Sequence, residues 1–137
     1  MKNSHTVLVT GGLGFIGSHT CITLIENGYD VIVIDSLVNS YESVRTKIKE
    51  IVNKLKFNSD QRITFKKGDL RNIDWLSQVF QECKNRKRPI RSVIHLAGLK
   101  SVENSMMDPI NYWQTNINAT LNLLSVMNKY SCNNFVF

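Results

Sequence analysis

Short apolar runs and amphipathic stretches alternate along the whole chain. His5 to Thr10, HTVLVT, is a brief apolar run stopped by Gly11 and Gly12, which suits a buried parallel strand. Phe15 to Glu26 carries Gly17, Cys21 and Leu24–Ile25 on one helical face, and Asn27 and Gly28 supply the stop signal. VIVI, Val31 to Ile34, reads as a second buried strand. A polar stretch from Tyr41 to Leu55 places Val44, Ile48, Ile51, Val52 and Leu55 at helical spacing. Ile63 to Lys67 gives a third strand closed by Gly68, and Ile73 to Cys83 a helix facing inward with Leu76, Val79 and Phe80.

SVIHL, Ser92 to Leu96, is a fourth strand. Asp108 then stands as N-cap and Pro109 at the first position of a long helix, running through Ile117, Leu121, Leu124 and Met127 to Tyr130. Phe135 to Phe137 opens a fifth strand, inside which the 137-residue chain stops. Strand and helix alternate throughout, which predicts an α/β fold with a parallel sheet covered on both faces. Right-handed crossovers make it doubly wound, with strand order 3-2-1-4-5. A single core is expected at this length.

Composition adds limits. The chain is 42% hydrophobic and 20% charged, an ordinary globular balance. No apolar run approaches the roughly 20 residues that span a bilayer, and Met1 to Thr6 carries one lysine and runs directly into a strand, so neither membrane span nor signal peptide is expected. Three scattered cysteines, Cys21, Cys83 and Cys132, form no CxxC pair, which argues against zinc or a disulfide framework and for a reducing cytoplasm. The net charge of +6 raises the question of nucleic acid. Its densest run, Lys84, Arg86, Lys87, Arg88 and Arg91, has no interleaved aromatics and falls where a helix hands over to a strand, opposite any cofactor. It is read as a solvated loop, with no nucleic-acid partner.

Four of the seven glycines lie in TGGLGFIG, Thr10 to Gly17, after a strand and at the opening of a helix. In that context Gly11 permits the tight turn, Gly14 lets backbone approach a pyrophosphate, and Gly17 allows close helix packing. The helix N-terminus then offers unpaired N–H groups and a positive dipole end to phosphates. Asp35 ends the second strand, 18 residues beyond Gly17. A carboxylate there accepts ribose hydroxyls and repels a 2′-phosphate, which favours NAD over NADP, although Arg45 would soften that preference if it folded back. A cation such as Lys100 suits a diphosphate, and Ala97–Gly98 allows close backbone approach. His95 and His19 are read as hydrogen-bonded core histidines and Cys21 as a small packing residue.

The spacing G-x-x-G-x-x-G resembles the fingerprint of extended short-chain dehydrogenases, which have a Rossmann fold. VLVTGGLGFIGSHT (Val7 to Thr20), IDSLVNS (Ile34 to Ser40), GDLR (Gly68 to Arg71) and HLAGLKSV (His95 to Val102) look, more narrowly, like the UDP-glucose 4-epimerases. Nucleotide-sugar 4,6-dehydratases usually show an Ala-Glu-Ser-His type string where this chain has AGLKSV. The resemblance implies that Phe15 and Ile16 cap the pyrophosphate loop, that Asp35, Ser36, Leu37, Val38, Asn39 and Ser40 hold the adenosine ribose, and that Asp69 and Leu70 contact the adenine. It implies further that Leu96, Ala97, Gly98 and Leu99 line the cofactor, that Lys100 reaches the nicotinamide-side ribose and phosphate, and that Asn116 supports the turn carrying the catalytic segment. Thr115 departs from the pattern, standing where asparagine is often found.

The function so implied is reversible hydride transfer between the C4 of a UDP-sugar and NAD through a 4-keto intermediate, interconverting UDP-glucose and UDP-galactose. Homodimerisation through helices that include the long one is a property of such proteins that the sequence itself does not establish. Two alternatives stay open: another extended short-chain nucleotide-sugar epimerase or dehydratase, and a non-catalytic dinucleotide-binding module. The resemblance also implies an incomplete NAD-binding domain over residues 1–137, without the substrate domain, and an apolar sheet edge at the fifth strand that lowers stability. Family chemistry uses a tyrosine base with a lysine four residues on, which lowers the tyrosine pKa. Tyr29, Tyr41, Tyr112 and Tyr130 are followed at that spacing by Val33, Arg45, Asn116 and Asn134. Purified 1–137 is therefore expected to give no steady conversion of UDP-galactose to UDP-glucose in a coupled assay, and sustained turnover would refute this.

Overall fold

The computed structural model describes residues 5–137. Part of the opening segment on which the signal-peptide expectation rests, residues 1–4, lies outside them. β1 (Thr6–Thr10), β2 (Asp30–Asp35), β3 (Ile63–Lys67), β4 (Ile90–His95) and β5 (Asn134–Val136) form one parallel sheet in the order β3-β2-β1-β4-β5. That is the order the alternating pattern predicts. β1 sits at the centre with every residue buried, because helices cover both faces.

Alternation along the strands divides the interior in two. Val7, Val9, Val31, Val33 and Ile63 pack under α1 (Phe15–Glu26) and α2 (Glu42–Lys54), through Cys21, Ile25, Ile48 and Val52. Leu8, Ile34, Ile90 and Val93 face the other way, against Leu76, Val79 and Phe80 of α4 (Ile73–Asn85) and Leu123, Val126 and Met127 of α7 (Ala119–Lys129). Leu8 pairs in register with Ile32 on one side and Val93 on the other, so it anchors the second layer at its centre. Ile51 and Leu55, expected on the inner face of α2, are 41% and 39% exposed: Ile48 and Val52 complete the contact without them.

Three elements go beyond the sequence reading. α3 (Ser59–Arg62) is a single turn capped by Asn58, whose side chain accepts from the Asp60 and Gln61 amides. α5 (Val102–Met107) is capped by the Ser101 hydroxyl, which accepts from the Asn104 amide. The long helix begins where expected, with Asp108 accepting from the Asn111 amide and Pro109 in the first turn. It is α6 (Pro109–Trp113), a π segment (Gln114–Asn118) and then α7, with the Ala119 amide bonding to the Gln114 carbonyl five residues back. Ile117, Leu121 and Leu124 face outward, where they join Ile110 and Trp113 as an exposed stripe, while Ala119, Leu123 and Val126 form the core face.

The basic run lies at the amino ends of the strands, and one of its members has a structural task. Asp30, almost fully buried, accepts from Arg88 at 2.6 Å and Arg62 at 3.1 Å, tying the turn before β4 to α3 and β2. His19 is a correction to the core assignment: it lies exposed on α1, its Nδ1 2.8 Å from the Phe15 carbonyl. No helix of the described residues is long and apolar enough to cross a membrane.

Cys21, Cys83 and Cys132 are free, buried thiols. Burial and the nearby Asp35 carboxylate push Cys21 up to about 12, and burial also raises Cys83 and Cys132. Thiolate, the reactive form, is therefore scarce at all three. Native protein is expected to react with a disulfide reagent at mild alkaline pH far more slowly than urea-unfolded protein, which should release all three equivalents at once. Equal rates would contradict this packing.

Candidate dinucleotide site

The carboxyl ends of β1 to β4 open onto a cleft of about 880 Å3, at the reversal of strand order where sheets of this type take ligands. Four loops build it. The first, Gly11 to Gly14, turns from β1 into α1. Gly11 has φ +66° and a Cβ there would meet the Ala97 amide nitrogen at 2.8 Å, so both its conformation and its neighbour demand glycine. Gly17 packs against this loop itself, since a Cβ would be driven into the Gly11 carbonyl. α1 starts at Gly14 with no side-chain cap, unlike α3 to α6, so the first amides of its N-terminus lack a side-chain partner.

The second loop follows β2. Asp35 is buried, and its Oδ2 accepts from the Leu13 amide at 3.0 Å while Oδ1 accepts from the Leu37 amide at 2.9 Å and the Ser40 hydroxyl at 2.6 Å. This one side chain therefore ties the glycine loop to the loop behind it. Ser36, Val38, Asn39 and Ser40 line the cleft. Leu37 takes a positive φ of 63° and packs against the α1–α2 core. Arg45 does not fold back toward the cleft: it pairs with Glu42 and lies 5.1 Å over the Phe65 ring.

The third loop, after β3, sets Asp69 and Leu70 on the wall. Arg71, the last residue of the GDLR string, grips Asp69 with Nε at 3.0 Å and Nη2 at 2.6 Å from Oδ2, and it reaches toward Asn111 across the cleft. Those charge-assisted bonds hold the Asp69 carboxyl below the usual range. The fourth loop, Leu96 to Lys100, completes the floor. Asn116 lies beneath it on the π segment: its Oδ1 accepts from the Leu99 amide at 2.8 Å and its Nδ2 donates to the Leu99 carbonyl at 2.9 Å. Six residues on, Asn122 donates to the Leu70 and Arg71 carbonyls. The long helix thus holds the third and fourth loops through two asparagines.

Of the residues singled out from sequence, Gly11, Gly14, Phe15, Asp35, Ser36, Val38, Asn39, Ser40, Asp69, Leu70 and Leu96 to Lys100 line this one cleft. Ile16, Gly17, Leu37 and Asn116 do not line it, and act behind or beside the lining. The far wall was missed: Ser101, Asn104 and Met107 of the α5 region, and Asn111, Tyr112 and Thr115 of the long helix. The Tyr112 hydroxyl accepts from the Ser101 amide at 3.1 Å, locking α5 to α6. Ser101 three residues before Asn104 was the available cap signal. His95 is buried and hydrogen-bonded on both ring nitrogens, and Cys21 packs beneath the glycine loop near the Gly12 carbonyl. Among the described residues no three of His, Cys, Asp or Glu converge as metal ligands.

Known proteins resemble this chain in sequence and fold. The family model described as GDP-mannose 4,6 dehydratase matches residues 8–137. The UDP-glucose 4-epimerase uge1 of Schizosaccharomyces pombe is 42% identical over 96% of this chain, which spans only 34% of that protein. The UDP-glucose 4-epimerase of Klebsiella pneumoniae is 37% identical, with 96% of this chain covering 86% of that sequence. Among solved structures, the UDP-glucose 4-epimerase of Stenotrophomonas maltophila, with bound NAD and formylated UDP-arabinopyranose, superposes with a TM-score of 0.84 at 35% identity, over 97% of this chain and 36% of that one. With the glycine loop, the strand order and these matches together, the chain belongs to the GDP-mannose 4,6-dehydratase family of extended short-chain enzymes, among the UDP-glucose 4-epimerases.

Proposed function

We propose that this chain is the NAD-binding part of a UDP-glucose 4-epimerase, which interconverts UDP-glucose and UDP-galactose. The observation that carries this reading is the uncapped start of α1 opening toward a cleft beside a buried, pre-oriented carboxylate, Asp35, held against the same glycine loop. The residues fit a dinucleotide. A Cβ at Gly14 would meet only the Gly11 carbonyl, at 3.3 Å, so the side of the loop toward the cleft is open for a pyrophosphate. Three of the roughly four acceptor sites of the Asp35 carboxylate are used internally, which leaves Oδ2 able to take a ribose hydroxyl.

In this reading Phe15 and Ile16 shield the pyrophosphate, Ser36, Val38, Asn39 and Ser40 surround the adenosine ribose, and Leu37 anchors that loop. Asp69, held by Arg71, and Leu70 face the adenine. Leu96 to Leu99 form the floor, with Lys100 at the nicotinamide end and Asn116 and Gly17 as supports. When bound, NAD supplies a reversible hydride acceptor for the sugar C4. The part of this chain is to bind and orient: the proton-transferring tyrosine and lysine of the family have no counterpart at the required spacing among Tyr29, Tyr41, Tyr112 and Tyr130. The same reading pairs two copies through the long helix, whose outer stripe of Ile110, Trp113, Ile117, Leu121 and Leu124 is exposed. It also sets the protein in a reducing cytosol, which suits three free thiols.

Calorimetric titration tests it. Saturable binding of one NAD per chain is expected, with NADP weaker by about tenfold or more, because Asp35 repels the 2′-phosphate. Equal affinity for the two, or none for NAD, would overturn the reading. Gly14→Ala is expected to lose NAD affinity with little change in melting temperature. Gly11→Ala, strained by φ and blocked by the Ala97 backbone, is expected to lose about 2–3 kcal/mol of stability in urea titrations.

A further inference from the structure

The buried hydrogen bonds beneath the fourth loop run in one direction. The Thr10 hydroxyl oxygen accepts from the Ala97 amide and shares the Leu96 amide with the Thr10 carbonyl, all at 3.1–3.2 Å. Its own proton then has one destination, His95 Nδ1, 2.6 Å away. At the other side of the ring, the Thr120 hydroxyl lies 2.6 Å from the Asn116 carbonyl, which can only accept. Thr120 must donate there, so it must accept from His95, whose Nε2 is 2.8 Å away. Two separate hydroxyls thus demand the same form of the ring: neutral, with the proton on Nε2 and none on Nδ1.

We propose that His95 is a positioning residue for the cofactor floor, and that its Nε2–H tautomer joins the end of β1, the fourth loop and the π segment into one frame. The frame is continuous. It passes from the Ala97 amide through Thr10, His95 and Thr120 to the Asn116 carbonyl, and the Asn116 side chain returns to both backbone groups of Leu99. The Leu96–Leu99 stretch is therefore gripped at both ends by one relay whose centre is a single imidazole. A ring with the proton on Nδ1 would leave the Thr10 hydroxyl proton without an acceptor and would present a bare Nε2 to a hydroxyl already committed as donor. A buried polar group left so costs more than the bond it loses. Burial lowers the His95 pKa, which keeps the ring uncharged at neutral pH.

The idea rests on the cofactor reading for its functional meaning, but its test has an independent readout. Imidazole nitrogen NMR on the full chain is expected to show the Nε2–H tautomer for His95, and Nδ1–H would overturn the proposal. His95→Gln can present an acceptor toward Thr10 and a donor toward Thr120, so it is expected to keep hydrogen-exchange protection at the Ala97 and Leu99 amides and to bind NAD within about threefold of wild type. His95→Phe removes both bonds, and is expected to lose that protection and about tenfold or more in NAD affinity, the equivalent of one buried hydrogen bond. His95→Phe with wild-type protection and affinity would overturn the proposal. If His95→Phe does not fold, Thr120→Val decides by the same two readouts. Should the wild type not bind NAD, the proposed function falls, while the tautomer and amide protection still settle the frame.

Discussion

The cleft depends on one carboxylate. Asp35 ends β2 at the point where the chain must leave the sheet, and it holds the amides of Leu13 and Leu37 and the hydroxyl of Ser40 at once. Beside it, the Gly11 amide donates to the Ile34 carbonyl and ties the glycine loop to the end of β2. A buried acceptor that gathers three donors from two loops fixes their separation, which sets the spacing available to a bound diphosphate and sugar. A group commonly read as a ligand contact is here also the organiser of the site.

The other half of the cleft is organised from behind. The long helix sends Asn116 to the fourth loop and Asn122 to the third, and the buried imidazole of His95 sits between that helix and β1. Side-chain amides suit this task, because each can satisfy a backbone donor and acceptor that no sheet partner reaches. Loops so held pay their ordering entropy before a ligand arrives. The apolar layers beneath, divided by the sheet, supply a stiff base for both halves.

The strands and their order were legible because β1 and β2 are buried on both faces and read as unbroken apolar runs. The floor residues and Asp35 were legible because they stand where strands end. What escaped has physical causes. α3 and α5 are too short to show periodicity and declare themselves only by Asn58 and Ser101. Ile117, Leu121 and Leu124 keep helical spacing yet face outward, because the same stretch carries a second apolar face, Ala119, Leu123, Val126 and Met127, and spacing alone does not say which of the two meets the sheet. Leu37 was grouped with the ribose loop by its place in a string, while its left-handed backbone sends the side chain to the core. Arg71 belongs to the GDLR string, but its role comes from a bidentate grip on Asp69 that spacing does not reveal.

The π segment has a consequence for how this fold tolerates change in length. A wide turn is a regular helix with one residue too many, held open because something else profits from the displacement. Here the beneficiary is Asn116, set under Leu99. Deleting one residue between 114 and 118 would restore ordinary helical geometry and shorten the chain without breaking any strand. It would also swing Asn116 about a quarter-turn from its loop. The same rotation would turn the buried face of α7, Ala119, Leu123 and Val126, out of phase with α6, so the region resists a change of length on behalf of the core and of the cleft alike.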